Sequence, residues 1–216
     1  MNILVIGNEV NRVEIAKKFG TQHTYNFAES LTELTPIQEA EVVFDFISET
    51  APDTLKVYEQ ISASVFLDTT LSSLSEIIAE ADLKKLIFGF CGLPTFVSRD
   101  LLEVCINNES DEVTLNEVCR MLNTKYSLVK DQIGFITPRI ICMIINEAYF
   151  TVEEGTATRE DIDLAMKLGT NYPFGPFEWA GKIGRQNVVN VLDTVHRVSN
   201  DVRYEVCPLL RTESSD

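Results

Sequence analysis

Short apolar runs alternate with helix-period patterns through the first half of the chain, and that alternation narrows the fold more than any other feature. The run NILVIG at 2–7 ends in glycine and is followed by Val13, Ile15, Ala16 and Phe19 at helical spacing. VVFDFI at 42–47 is apolar enough to be buried on both faces, as strands of a parallel sheet are. Pro52 opens a helical stretch through Leu55, Val57, Tyr58 and Ile61. SVFL at 64–67 then reads as a strand, 74–81 as a helix and LIFGF at 86–90 as a strand. Strand and helix in turn at this spacing predict an α/β fold built on a doubly wound, Rossmann-like parallel sheet.

Beyond residue 112 the pattern reads as a helix (113–122) and a short strand (126–129). From Phe135 it becomes wholly helical. Ile136, Ile140, Met143, Ile144, Ala148 and Val152 recur every three to four residues, which predicts one long helix stopped by Gly155. Thr158, with Asp161 three residues on, predicts an N-cap, and Gly169 closes the helix that follows. Pro173, Gly175 and Pro176 mark a turn before two more helices and a polar tail at 212–216. The expected division is a Rossmann-like parallel-sheet domain over 1–131 and an all-α domain over 132–216.

Composition removes several function classes. A net charge of −15 argues against a general nucleic-acid surface, because phosphate contacts need clustered Lys and Arg. Any anionic cofactor would have to be met by local basic groups or helix N-termini. Five cysteines without CxxC spacing predict free thiols in a reducing compartment. Two histidines, His23 and His196, stand apart from any ligand-like cluster, so no metal is expected. No apolar run approaches the ~20 residues needed to cross a bilayer. MNILVIG lacks the basic segment and cleavage site of a signal peptide. The expectation is a cytoplasmic protein with no membrane contact.

The second half carries a dense resemblance. The string DQIGFITPRIICMIINEAYFTVEEGTATREDIDLAMKLGTNYPFGPFEWAGKIG at 131–184 is similar, almost residue by residue, to the C-terminal domain of the 3-hydroxyacyl-CoA dehydrogenases. That family's pattern runs D-x-P-G-F-[IV]-x-N-R, N-E-A, E-E-G-x-A, D-I-D-x-A-M-x-x-G and G-x-P-x-G-P-[FL]-E. Gly134, Phe135 and Arg139 match the first piece, and Asn146, Glu147 and Ala148 the second. Glu153, Glu154, Gly155 and Ala157 match the third, and Asp161, Ile162, Asp163, Ala165, Met166 and Gly169 the fourth. Pro173, Gly175, Pro176, Phe177 and Glu178 complete the run. The resemblance implies a shortened Rossmann-like domain followed by an all-α domain, NAD as cofactor, an acyl-CoA ligand, and a homodimer formed through the helical domain.

In the first half the family carries G-x-G-x-x-G after the first strand, where glycines let the backbone approach a diphosphate at a helix N-terminus. This chain has Gly7, then Glu9 and Arg12 at the other two positions. Glu9 sets a Cβ and a negative charge where the diphosphate belongs. The only candidate for the next strand, HTYNF at 23–27, ends without an acidic ribose ligand, Asn26 being the nearest residue. The resemblance lays Asp45 and Glu49 on the two acidic residues that flank the nicotinamide half in the family. It lays Asp68 on an asparagine and Leu71 on a substrate-contacting serine, although a shift of one or two residues would put Ser72 or Ser73 there instead.

GFCGLPTFVSRDLLEV resembles the family's G-x-H-F-F-N-P-x-x-x-x-x-L-V-E-[VI]. Cys91 lands on the histidine that takes the hydroxyl proton, and Glu103 on the glutamate that orients it. Pro94 and Pro138 stand where the family has asparagines, Pro138 at a position that lines the substrate site. A thiol lacks the two-ended geometry by which an imidazole bonds substrate and glutamate together, and a carboxylate beside it makes thiolate scarcer. Two readings follow. One is an NAD-dependent dehydrogenase working with altered residues. The other is a non-catalytic homodimer that keeps the acyl-CoA cleft or serves as a scaffold, favoured because several coupled losses are not repaired by one cysteine.

Overall fold

The first unit is built on a sheet whose central strands are covered on both faces. A computed structural model of the protein describes residues 1–31, 34–48 and 51–215. The elements of the first unit are β1 (Asn2–Ile6), α1 (Glu9–Phe19), β2 (Thr24–Ala28), α2 (Leu34–Glu39), β3 (Val42–Asp45), β4 (Ser64–Asp68) and α3 (Leu74–Glu80). They continue with β5 (Ile87–Phe90), β6 (Leu101–Cys105), α4 (Glu112–Met121) and β7 (Lys125–Leu128). The sheet order is β2-β1-β3-β4-β5-β6-β7. β2 through β5 run parallel, β6 turns antiparallel to β5, and β7 pairs parallel with β6. Every residue of β3 and β5 is buried, as a sheet covered on both faces requires.

An aromatic ladder crosses the sheet under the helices. Phe44 stacks on Phe66 with ring centroids 4.9 Å apart and meets Phe90 edge-on at 5.5 Å. Phe66 in turn lies 5.0 Å from Phe88. Truncating such a buried ring costs about 3–5 kcal/mol, so this row is a principal source of the sheet's stability. Gly89 is required for packing. A Cβ there would lie 2.4 Å from Cys105 Sγ and 2.5 Å from Thr69 Oγ1.

The second unit contains α5 (Thr137–Glu153), α6 (Arg159–Gly169), α7 (Pro176–Ile183), α8 (Arg185–Ser199) and α9 (Pro208–Ser214). Ile141, Ile145, Ala148 and Tyr149 of α5 are buried with Trp179 and Ile183 of α7, Val188, Val191 and Leu192 of α8, and Leu210 of α9. Asn146 ties the chain's last turns to α5. Its Nδ2 donates to Glu205 O at 2.8 Å, and its Oδ1 accepts from Cys207 N at 2.8 Å. Contacts divide the chain into Met1–Phe135 and Ile136–Asp216.

The structure departs from the sequence reading in three places. The stretch opened by Pro52 is a 3₁₀ helix, Pro52–Gln60, rather than an α-helix. Residues Leu101–Cys105 form a reversed strand, a direction that periodicity does not encode. Three α-helices follow the Pro173 turn, the last of them α9, with Pro208 at its first position, running into residues 212–214 of the expected polar tail. The Thr158 cap is present, its Oγ1 accepting from Asp161 N at 3.2 Å.

Candidate functional site

Ligands of doubly wound sheets bind at the carboxyl ends of the strands, and this chain gathers its candidate residues there. Gly7 follows β1, Asp45 ends β3, Asp68 ends β4 and Cys91 follows β5. Because β6 is antiparallel to β5, its register pairs Gly89 with Cys105 and Phe90 with Val104. Cys91, just past the end of β5, lies near enough to Glu103 of β6 for that carboxylate to act on its thiol. Leu71 lies in the turn before α3, and Glu49 lies outside the described residues. Pro138 stands in the second unit, buried in the first turn of α5, where its missing N–H costs little.

The start of α1 is closed by its own side chains. Asn8 Oδ1 accepts from Val10 N at 2.9 Å and Asn11 N at 3.2 Å, while Asn11 Oδ1 accepts from Asn8 N at 2.9 Å. This capping box occupies three of the amides that a dinucleotide-binding helix aims at its diphosphate. A Cβ on Gly7 would lie 2.5 Å from Asn11 Oδ1, so the space beside Gly7 is also taken. Glu9 stands in the first turn, 3.4 Å from Arg12 Nη1. The residues present therefore do not fit the diphosphate of NAD.

Beside the cap lies a cavity of about 210 Å³ lined by Val5, Gly7, Asn8, Glu9, Arg12, Phe27, Ala28 and Glu29. The Arg12 guanidinium sits over the Phe27 ring at 4.3 Å. Glu29 is the residue that the sequence reading missed. The second strand runs one residue beyond HTYNF, to Ala28, so the acid at its carboxyl end is Glu29 and not the mid-strand Asn26. A strand bounded by its hydrogen bonds rather than by its apolar run would have revealed it.

Asp45 is fully buried and occupied. Its Oδ1 accepts from Ile47 N and Ser48 N, each at 3.0 Å, and its Oδ2 accepts from Tyr58 Oη at 2.7 Å. Burial raises its pKa despite these bonds. These bonds brace the start of the loop after β3.

Cys91 is 3% exposed. Burial, the adjacent Asp68 carboxylate and, more weakly, Glu103 push its thiol well above the ordinary cysteine range. A thiol so placed stays protonated at neutral pH and accepts no proton. Asp68 carries the other perturbed group. Its Oδ1 accepts from Thr70 N at 3.0 Å, Thr70 Oγ1 at 2.5 Å and Gly92 N at 3.0 Å. Burial nevertheless pushes its pKa up to about 6, with Asp45 adding to the rise.

Leu71, Ser72 and Ser73 lie in the stretch between β4 and α3, and of the three Leu71 has no hydroxyl. Ser73 caps α3 and donates to Asp131 Oδ2 at 2.7 Å. Asp131 also accepts from Leu74 N and Ser75 N at 2.8 and 2.9 Å, which locks the start of α3 to the segment after β7. Among the described residues no group of three or more His, Cys, Asp and Glu side chains could hold a metal. No described helix is long and apolar enough to cross a membrane.

Residues 134–214 match the sequence model of the 3-hydroxyacyl-CoA dehydrogenase C-terminal domain. Over 179 residues the chain is 30% identical to the 3-hydroxybutyryl-CoA dehydrogenase of Bradyrhizobium diazoefficiens, covering 77% of this chain and 61% of that one. The 3-hydroxybutyryl-CoA dehydrogenase of Clostridioides difficile is 30% identical over 164 residues, 73% of this chain and 58% of that one. The chain thus spans less than two thirds of the length of these curated relatives. The crystal structure of FadB2 from M. tuberculosis shares the fold, with a TM-score of 0.79 at 16% identity over 99% of this chain and 93% of that one. The chain belongs to the 3-hydroxyacyl-CoA dehydrogenase family.

Proposed function

We propose that this protein binds an acyl-CoA ligand without carrying out NAD-linked hydride transfer. The observation that carries this reading is the capping box at α1, where Asn8 and Asn11 consume the amides that would hold a diphosphate. Cys91 supports it, since a buried thiol replaces the family's proton acceptor. The acyl-CoA part follows from the relatives, which are named for 3-hydroxybutyryl-CoA. Five free, buried thiols suit a reducing compartment such as the cytoplasm.

The helical unit is the surface through which two copies associate. α6 has no buried residue, and Leu164 and Leu168, one turn apart, are 55% and 78% exposed. Adjacent exposed leucines on one helical face are covered at low cost by a second copy. Sedimentation of the wild type as a dimer, and of Leu164→Asp/Leu168→Asp as a monomer, is the expected result.

A cofactor titration tests the central claim. NADH fluorescence is followed to millimolar cofactor, with absorbance at the reduced-nicotinamide band read in the presence of acetoacetyl-CoA. The expected outcome is no saturable NADH binding and no turnover, while 3-hydroxybutyryl-CoA raises the melting temperature. Saturable NADH binding with turnover overturns the reading.

A further inference from the structure

The helix α9 is docked on the helical unit with little apolar surface. Of its seven residues, Pro208–Ser214, only Leu210 is buried. A helix this short has no stability of its own in water, so its order comes from what it touches. Its start is fixed by Asn146, whose two 2.8 Å bonds hold Glu205 O and Cys207 N. Beyond Cys207, two charged clamps reach the neighbouring helices.

The first clamp joins Arg211 to Asp193 of α8, with Nη1 2.9 Å from Oδ2 and Nη2 2.6 Å from Oδ1. The second is larger and draws on three helices. Arg159 of α6 holds Glu213 with both terminal nitrogens, Nη1 donating to Oε2 at 3.1 Å and Nη2 to Oε1. Tyr149 of α5, fully buried, donates to Glu213 Oε2 at 3.3 Å and accepts from Arg185 Nε of α8 at 2.9 Å. Arg185 Nε itself lies 3.6 Å from Glu213 Oε2. The Arg159 guanidinium also rests against the Tyr149 and Phe177 rings, 5.6 and 5.2 Å from their centroids. Its hydrogen bonds pull the Glu213 carboxyl below the ordinary carboxylate range, so the clamp is charged at neutral pH. Arg159 and Arg185 keep 35% and 41% of their side-chain surface exposed, which opens the cluster to screening by salt.

We propose that α9 is a strap latched by charge, which opens on a hinge at Cys207 when the Glu213 clamp is neutralised or screened, while the other helices of the unit stay packed. Those helices are held by buried side chains over several turns, Ile145 and Tyr149 of α5, Trp179 of α7, and Val191 and Leu192 of α8 among them. Apolar burial of that kind does not weaken with added salt, whereas the clamps do. Strap and core therefore answer to different forces, and the strap opens as a unit of its own. Its opening uncovers the seat of Leu210 beside α5 and α8, together with Arg159 and Arg185 released from their carboxylate.

Amide exchange of the full chain at neutral pH, read by mass spectrometry, tests this for wild type and Glu213→Gln in about 0.05 M and about 1 M sodium chloride. In wild type the salt should speed exchange at residues 211–214 on the order of tenfold and leave α5 and α8 unchanged. Glu213→Gln should exchange at 211–214 on the order of tenfold faster than wild type already in low salt, and should respond to added salt less than wild type does. Arg159→Gln should reproduce that behaviour from the other side of the clamp, and a thermal melt establishes that each variant is folded. Exchange at 211–214 that salt does not move in wild type, or that Glu213→Gln leaves unchanged, overturns the proposal. Acceleration spread evenly over α5 and α8 overturns it as well, because α9 then opens only with the whole unit.

Discussion

The Asp68 carboxylate and the Gly92 amide, 24 residues apart in the chain, meet at 3.0 Å where β4 and β5 release their loops. That bond couples the loops that follow two neighbouring strands through a carboxyl group whose pKa burial raises, and this has a consequence for stability.

The folded protein raises the Asp68 pKa from 3.8 to about 6. Between those values the folded chain holds a proton that the unfolded chain has released. The contribution therefore opposes folding in full above pH 6 and disappears below the unfolded value. Asp68→Asn should stabilise the protein by about 1–3 kcal/mol at pH 8 and leave it unchanged at pH 3.5. Urea unfolding at the two pH values measures this. A loss of stability at pH 8 would show that the charge-assisted bonds to Thr70 and Gly92 outweigh the burial of the charge.

Much of the architecture is legible in the amino-acid sequence, because it follows from period and polarity. Phe44 and Phe66 lie in apolar runs that only a two-sided sheet can bury, and the three-to-four-residue recurrence through Ile140 and Ala148 fixes α5. What escapes is set by pairing. The end of β2 depends on hydrogen bonds to β1, which carry the strand to Ala28 and bring Glu29 to the cavity. The reversal of β6 depends on its partner β5, and with it the pairing of Phe90 with Val104. Asp68 reads as an ordinary polar residue at a strand end. Its importance lies in the amide of Gly92, which no local pattern connects to it. The losses at Glu9, Arg12 and Cys91 are legible, yet the capping box of Asn8 and Asn11 that completes them is a matter of side-chain direction.

All five cysteines are free and buried, and burial raises the thiols of Cys91, Cys105, Cys119 and Cys142. A disulfide-exchange reagent added to the folded protein at pH 8 should find them slower than in denaturant by on the order of a hundredfold or more. One thiol reacting at the denatured rate would place that cysteine at an accessible surface.

Asn146 spans α5 and the chain's end with two bonds of 2.8 Å. Asn146→Ala leaves Glu205 O and Cys207 N without their partner and should cost about 2–4 kcal/mol. The loss should be local first. Amide exchange at residues 202–214 is expected to accelerate more than at β3 or β4, and uniform acceleration would mean that the segment does not open on its own.

The capping box of α1 has a consequence for how this protein lives among metabolites. A helix whose first amides wait for a phosphate is completed by a small molecule, and its host then melts at a temperature that follows the supply of that molecule. Here Asn8 and Asn11 complete the helix from within. On the proposed reading, the order of the first unit is inherited from its own sequence, and its thermal endurance is uncoupled from the nucleotide pool around it.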